Sequence, residues 1–239
     1  MSSEVLEAQG LKVVDAFDLD DELRGVLKPG ELVRDSSGRR HRLPRYFYEI
    51  PSHEVALKTR FTPHFGLNEF ILTDLKEAAR LQRYPKYVPC AVRILAFYLE
   101  QFRNAANASV HIAVNGAYRS PSHKLSLHAT PHMWGTAADV FRIGTTILKT
   151  QDAIEKYNVI AEDLSEDVRV LPYGHTTGKA ADDHVHIDLG FITYIPREIS
   201  EDRMEQPQEN RPRFAFEERR RVDRRGATVG AGVDVEGEQ

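Results

Sequence analysis

The sequence lacks the features that mark several specialised classes of protein. Its one cysteine, Cys90, cannot form an internal disulfide, and a chain of 239 residues is long enough to build its core without one. No apolar run reaches the length of about 18 residues that a membrane helix needs, because Arg93 interrupts the best stretch, 90–102. The first ten residues are polar and acidic, so we expect no signal peptide and no membrane contact.

A basic excess is also missing. Lysine and arginine total 32 against 36 acidic residues, a net charge of −4, whereas general nucleic-acid binders carry a surplus of positive charge. We therefore expect no nucleic-acid partner. The composition is 41% hydrophobic and 28% charged, which is typical of a soluble globular chain and excludes collagen-like, coiled-coil and wholly disordered classes.

Composition divides the chain into three predicted parts. Residues 1–60 form an N-terminal extension or subdomain without an assignable motif, and residues 61–200 carry the predicted main domain. Residues 201–239 hold eight arginines and ten acidic residues with few aromatics, which predicts a disordered tail that can contact a protein partner.

Local patterns predict an α+β fold with a small, mainly antiparallel central sheet flanked by helices. Helical spacing of apolar residues precedes a group of β-prone segments, which is the order expected of this class. The predicted helices are 68–81, 92–102 and 147–158, and the predicted strands are 46–50, 110–117, 136–143 and 184–191.

The first candidate site motif is the segment 132–139 (HMWGTAAD). His132 and Asp139 bracket a glycine and small residues that allow the backbone to turn closely between them. Asp139 falls on an apolar predicted strand, where an unpaired carboxylate is unfavourable. A bound metal would compensate for that burial, and a salt bridge or a helix cap at Asp139 is the alternative.

The second motif is the segment 182–190 (DDHVHIDLG). Side chains alternate along a strand, so His184, His186 and Asp188 are predicted to share one face, with apolar residues on the other. Imidazole is a favoured zinc and copper ligand. The alternative is the solvated face of an edge strand. Taken together, the motifs supply His, Asp and His, the three-ligand set of a catalytic zinc rather than a closed structural site.

These motifs and their order resemble those of the zinc D-Ala-D-Ala metallopeptidases. The matching segments are 117–121 (AYRSP), the pattern His-x-x-Gly-x-Ala-x-Asp at 132–139, and His-x-His at 184–186. That family includes peptidoglycan D,D-carboxypeptidases, vancomycin-resistance dipeptidases and phage endolysins, within a superfamily that also holds lysostaphin-type enzymes and the hedgehog domain. The resemblance covers about residues 61–195 and implies a hedgehog/D,D-peptidase-like fold.

The resemblance also implies roles for individual residues. His132, Asp139 and His186 match the zinc ligands, and Arg119 matches the arginine that binds substrate and stabilises the tetrahedral oxyanion. The chain departs from the dipeptidases at Asp183, where they have a glutamate. His184 matches a histidine of murein endopeptidases and hedgehog domains. The general base is therefore Asp183, His184 or both, with Asp183 preferred as the base and His184 as the group that stabilises the transition state.

The predicted function is a zinc peptidase that hydrolyses peptidoglycan peptides at bonds involving D-Ala by metal-activated water. The alternative is a catalytically idle relative that keeps the fold as a binding or structural module, for example in a phage or injection-system particle. Without a signal peptide, we expect a cytoplasmic or particle-associated protein that reaches the cell wall after release or by another export route.

Overall fold

The structure is a computed structural model, which describes residues 11–72, 86–174 and 182–196. The strands are β1 (Lys12–Asp15), β2 (Leu32–Arg34), β3 (Arg40–Arg42), β4 (Tyr46–Glu49), β5 (Tyr87–Pro89), β6 (Val110–Ile112), β7 (Ala137–Ile143), β8 (Thr146–Ile147), β9 (Arg169–Val170) and β10 (Val185–Asp188). The α-helices are α1 (Asp21–Leu27), α2 (His53–Lys58), α3 (Leu67–Phe70), α4 (Val92–Ala106) and α5 (Gln151–Glu162). Two 3-10 helices, Ala16–Asp18 and Pro131–Trp134, complete the set of named elements.

The central sheet confirms the α+β prediction with antiparallel strands. Its five strands run in the order β6-β7-β10-β9, with β8 paired to β7, and each of these pairs is antiparallel. Strand β7 lies between β6 and β10, and its residues Ala137, Ala138 and Val140 are fully buried. A polar side chain in this part of β7 therefore needs partners inside the protein.

The chain before residue 60 packs with the chain that follows it. Strand β4 pairs with β1 on one side and with β5 on the other, with Tyr48 opposite Val88. The buried residues of this second sheet belong to the same hydrophobic core as those of α4 and β7. Hairpin β2–β3 covers a smaller cluster formed by Leu43, Ala129, Met133 and Trp134.

Helix α4 confirms the helix predicted at 92–102 and extends it to Ala106. Val92, Leu95, Leu99 and Phe102 recur every three or four residues and are fully buried, so one face of the helix joins the core. The helix ends at Asn107, which adopts the left-handed conformation with φ of 48°. The helix predicted at 68–81 is confirmed only in its first turn: Leu67–Phe70 is helical, Ile71 and Leu72 are not, and residues 73–81 lie outside the described residues.

The predicted strand at 110–117 is wrong beyond Ile112, because the chain turns there to approach β7. The Gly116 N–H donates to the Ala113 carbonyl, and the Asp139 N–H donates to the Gly116 carbonyl at 2.6 Å. A Cβ at Gly116 would come within 2.7 Å of the Ala113 oxygen and 2.9 Å of the Asp139 oxygen. Only glycine allows this approach, which fixes the backbone of Asp139.

Two other predicted elements are shifted. The helix predicted at 147–158 runs from Gln151 to Glu162, because the Thr150 hydroxyl caps it by accepting from the Ala153 N–H. Ile147 instead belongs to β8. The strand predicted at 184–191 spans Val185–Asp188, and Gly190 turns the chain with φ of 72°.

The predicted charged tail at 201–239 lies outside the described residues, and so does its proposed protein contact. Within the described residues, no helix combines the length and apolar character needed to cross a bilayer.

Glu100 is a buried carboxylate of α4 that ties the loop before α3 to the core. Its Oε2 accepts from the His64 backbone N–H at 3.1 Å, and its Oε1 lies 2.5 Å from His64 Nδ1. Burial acts to raise the pKa of Glu100, but hydrogen bonds from Thr62 and His64 outweigh it and hold the pKa below its usual value. The charged carboxylate therefore stabilises the folded chain.

We expect Glu100→Gln to destabilise the protein by about 1–3 kcal/mol at pH 7, since it removes hydrogen bonds to a charged acceptor. The lowered folded-state pKa means that the contribution of Glu100 is complete above its unfolded pKa and is lost as the pH falls through the folded one. Urea unfolding between pH 7 and pH 3 measures this, with exposed Glu162→Gln as the control. Equal pH dependence in the wild type and Glu100→Gln would contradict the assignment.

Candidate metal centre

His132 reaches the interior from the 3-10 helix Pro131–Trp134. The residue is 3% exposed, and Nδ1 lies 2.8 Å from the Ala117 carbonyl oxygen. This contact fits an Nδ1–H donor and leaves Nε2, which lies 3.4 Å from Asp139 Oδ1, as the unprotonated nitrogen. Gly135 ends the 3-10 helix with φ of 69°, so the chain reverses into β7 as the small residues of this segment predicted.

Asp139 is the centre of the polar cluster. Its Oδ2 accepts from Arg119 Nη2 at 2.8 Å, and its Oδ1 lies 2.7 Å from His186 Nδ1. Asp139 and His186 are directly opposite each other in the β7–β10 pair. Sheet register thus places the carboxylate and this ring side by side.

His186 is held between two carboxylates. Nδ1 faces Asp139, and Nε2 lies 3.3 Å from Asp188 Oδ2. The ring is nine-tenths buried, and its centroid lies 5.2 Å from that of His132. One nitrogen of each ring therefore faces Asp139 while the other contacts a protein oxygen.

This group could hold a metal ion. Ligand atoms of His132, Asp139 and His186 all lie within 4.8 Å of one another. Two imidazoles and one carboxylate form a donor set that suits zinc, and the remote nitrogen of each ring has the oxygen partner that metal-binding histidines usually have. The chemistry of these residues therefore fits the zinc ion that the motifs predicted.

Burial and charge shift the protonation of these residues. Burial acts to raise the pKa of Asp139, but His132 and His186 outweigh it and hold that pKa well below its usual value. Burial lowers the pKa of His132. Burial also acts to lower the pKa of His186, but Asp139 and Asp188 raise it to about 9. A metal that binds at His186 therefore displaces a proton, as metal binding to histidine usually does.

Arg119 contacts Oδ2 of Asp139. Its side chain is 13% exposed, and its backbone N–H donates to the His132 carbonyl at 3.2 Å. Burial lowers the pKa of Arg119, although Asp139 opposes this effect. The Nε–H is buried without a hydrogen-bond partner among the described residues. Arg119 thus orients Asp139 and keeps spare donor capacity.

His184 and Asp183 form a pair at the edge of the cluster. His184 Nε2 lies 3.5 Å from Asp139 Oδ1, while Nδ1 lies 2.8 Å from Asp183 Oδ1. His184 is 16% exposed, whereas Asp183 is 62% exposed and contacts the cluster through His184. Of the two candidate bases, the histidine is the one that faces the predicted metal ligands.

Asp188 lies on the same strand face as His186, as the alternation of side chains predicts, and its carboxylate is buried against the His186 ring. The contact of the Ala117 carbonyl with His132 and that of Arg119 with Asp139 were not predicted. A backbone carbonyl and a side-chain pair 20 residues apart in the chain leave no local sequence signal.

Trp134, the last residue of the 3-10 helix, is fully buried against Phe191, with ring centroids 4.9 Å apart. This contact anchors the helix in the core.

Comparison with known proteins gives no assignment: no protein-family model, no curated protein and no solved structure matches this chain. The resemblance to zinc D-Ala-D-Ala metallopeptidases therefore stays a prediction that depends on the motifs.

We expect mass spectrometry of the purified chain to find about one divalent metal ion per molecule, because the three ligands form one site. His132→Ala and His186→Ala each remove a ligand and should lose the ion. His111→Ala is the matched control, because its ring contacts Ser109 and Arg142 instead of Asp139. Unchanged metal content in both ligand variants would contradict the ligand set.

Proposed function

We propose that this chain is a zinc-dependent peptidase that hydrolyses peptide bonds in peptidoglycan, at bonds that involve D-Ala. The observation that carries the proposal is the buried His132–Asp139–His186 group, with both rings turned so that one nitrogen faces the shared carboxylate. The peptidoglycan substrate is inferred from the motif resemblance, and the hydrolytic chemistry from the residues around the group.

The ligand set favours a catalytic over a structural metal. Structural zinc sites usually close with four protein ligands that include cysteine, whereas the candidate ligand group among the described residues contains none, and Cys90 is not part of it. Three protein ligands leave a coordination position for water or substrate. Zinc bound at such a site would lower the pKa of its water to about 7 and polarise a substrate carbonyl.

His184 is the best placed residue to carry the proton. Its Nε2 faces the cluster, and the Asp183 carboxylate at Nδ1 favours the tautomer with a free Nε2 lone pair. In this arrangement His184 accepts the proton of the attacking water and transfers it to the leaving amine, while Asp183 orients the ring. We therefore assign the base to His184 and the orienting role to Asp183, which is the reverse of the preference drawn from the sequence.

Arg119 is proposed to hold the Asp139 carboxylate and to stabilise the developing oxyanion. Nη2 is used by Asp139, and the remaining N–H groups of the guanidinium supply donors for a substrate oxygen. Positive charge at this position favours the transition state more than the neutral amide that precedes it.

The pairing of Asp139 supports a second candidate, a catalytically idle module. Arg119 and His186 already satisfy both carboxylate oxygens, so the cluster is also a stable polar core for a binding or structural domain. This candidate predicts folding and ligand binding without peptide cleavage.

Digestion of purified peptidoglycan and of synthetic peptides that end in D-Ala-D-Ala tests the proposal. We expect the zinc-loaded wild type to cleave, and His184→Ala to lower kcat by about 10²–10⁴-fold because the proton carrier is gone. Asp183→Asn should lower kcat less, by about 10–100-fold, since it removes the orienting group.

The outcomes separate the candidates. A larger loss in Asp183→Asn than in His184→Ala would assign the base to Asp183. Zinc-loaded wild type that releases no peptide from any of these substrates would contradict the peptidase and leave the idle module.

A further inference from the structure

Asp188 is a buried carboxylate outside the predicted ligand set. It is 8% exposed at the end of β10, and its two oxygens have different partners. Oδ2 lies 3.3 Å from His186 Nε2, and Oδ1 accepts from the Gly190 N–H at 2.7 Å. The second bond fixes the orientation of the carboxylate beside the ring.

We propose that Asp188 is a positioning residue of the metal centre: it accepts the Nε2–H of His186 and so keeps Nδ1, the nitrogen that faces Asp139, available to the metal. The inference rests on the zinc site of the proposed function. It adds that His132 and His186 bind through different nitrogens, Nε2 and Nδ1.

The two rings differ in the acceptor behind them. His132 Nδ1 contacts the neutral Ala117 carbonyl, whereas His186 Nε2 contacts a carboxylate. An anionic acceptor raises the basicity of the ring more than a carbonyl does and therefore strengthens its bond to a cation. The affinity of His186 for a cation therefore depends on Asp188 more than the affinity of His132 depends on the Ala117 carbonyl.

The turn at Gly190 does not by itself require a charged residue at position 188. Asparagine forms the same side-chain to backbone turn without a charge. The turn is also held by the Thr136 hydroxyl, which donates to the Gly190 carbonyl at 2.6 Å, and by the Leu189 N–H, which donates to the Thr136 carbonyl. A buried negative charge needs a compensating partner, and the His186 ring supplies it.

The test is the zinc affinity of Asp188→Asn, measured by competition with a chromophoric chelator. We expect about 10–100-fold weaker binding than in the wild type. Glu100→Gln is the matched control, because it makes the same acid-to-amide change at an equally buried carboxylate that contacts His64. It should lose stability and keep the wild-type zinc affinity. Equal affinity in Asp188→Asn and the wild type would overturn the inference.

A second measurement does not depend on the folding of any variant. Nitrogen-15 NMR of histidine-labelled, zinc-loaded wild type should place the remaining proton of His186 on Nε2. A proton on Nδ1 would overturn the inference.

A wild type that binds no zinc overturns both this inference and the proposed function. A wild type that binds zinc but cleaves no peptide overturns the peptidase alone, and the affinity comparison still decides the role of Asp188.

Discussion

A carboxylate that is largely buried, with its side chain 15% exposed, on an apolar central strand is the constraint around which this site is organised. Asp139 follows two fully buried alanines and precedes a fully buried valine, in a strand that lies between β6 and β10. An isolated charge in that position is strongly unfavourable, so each oxygen of Asp139 has a cationic or polar partner. Arg119, His132 and His186 come from three separate parts of the chain to provide those contacts.

The backbone is arranged to allow this convergence. Gly116 brings the segment after β6 against Asp139. Gly135 reverses the chain between the 3-10 helix that carries His132 and the start of β7. The β7–β10 register then sets His186 opposite Asp139. A shift of one residue in that register would move His186 to the other face of the sheet, so the site depends on sheet pairing as much as on the identity of its residues.

The central elements were predictable because their signals are local. The alternation of His184, His186 and Asp188 places all three at the site, and the spacing of Val92, Leu95 and Leu99 predicts α4. The partners of these residues were not predictable in the same way. Arg119 meets Asp139 through tertiary packing, and the short strands β2 and β3 form a hairpin whose role in covering Trp134 has no local pattern.

Crystallography of the zinc-soaked protein, with anomalous diffraction at the zinc edge, tests the central claim most directly. We expect one anomalous peak bonded to His132 Nε2, an Asp139 oxygen and His186 Nδ1, at about 2.0–2.2 Å from each. A zinc ion bound elsewhere, or no peak beside Asp139 while Arg119 and His186 keep their contacts with it, would contradict this ligand set. Asp139 would then be the centre of a structural salt-bridge network.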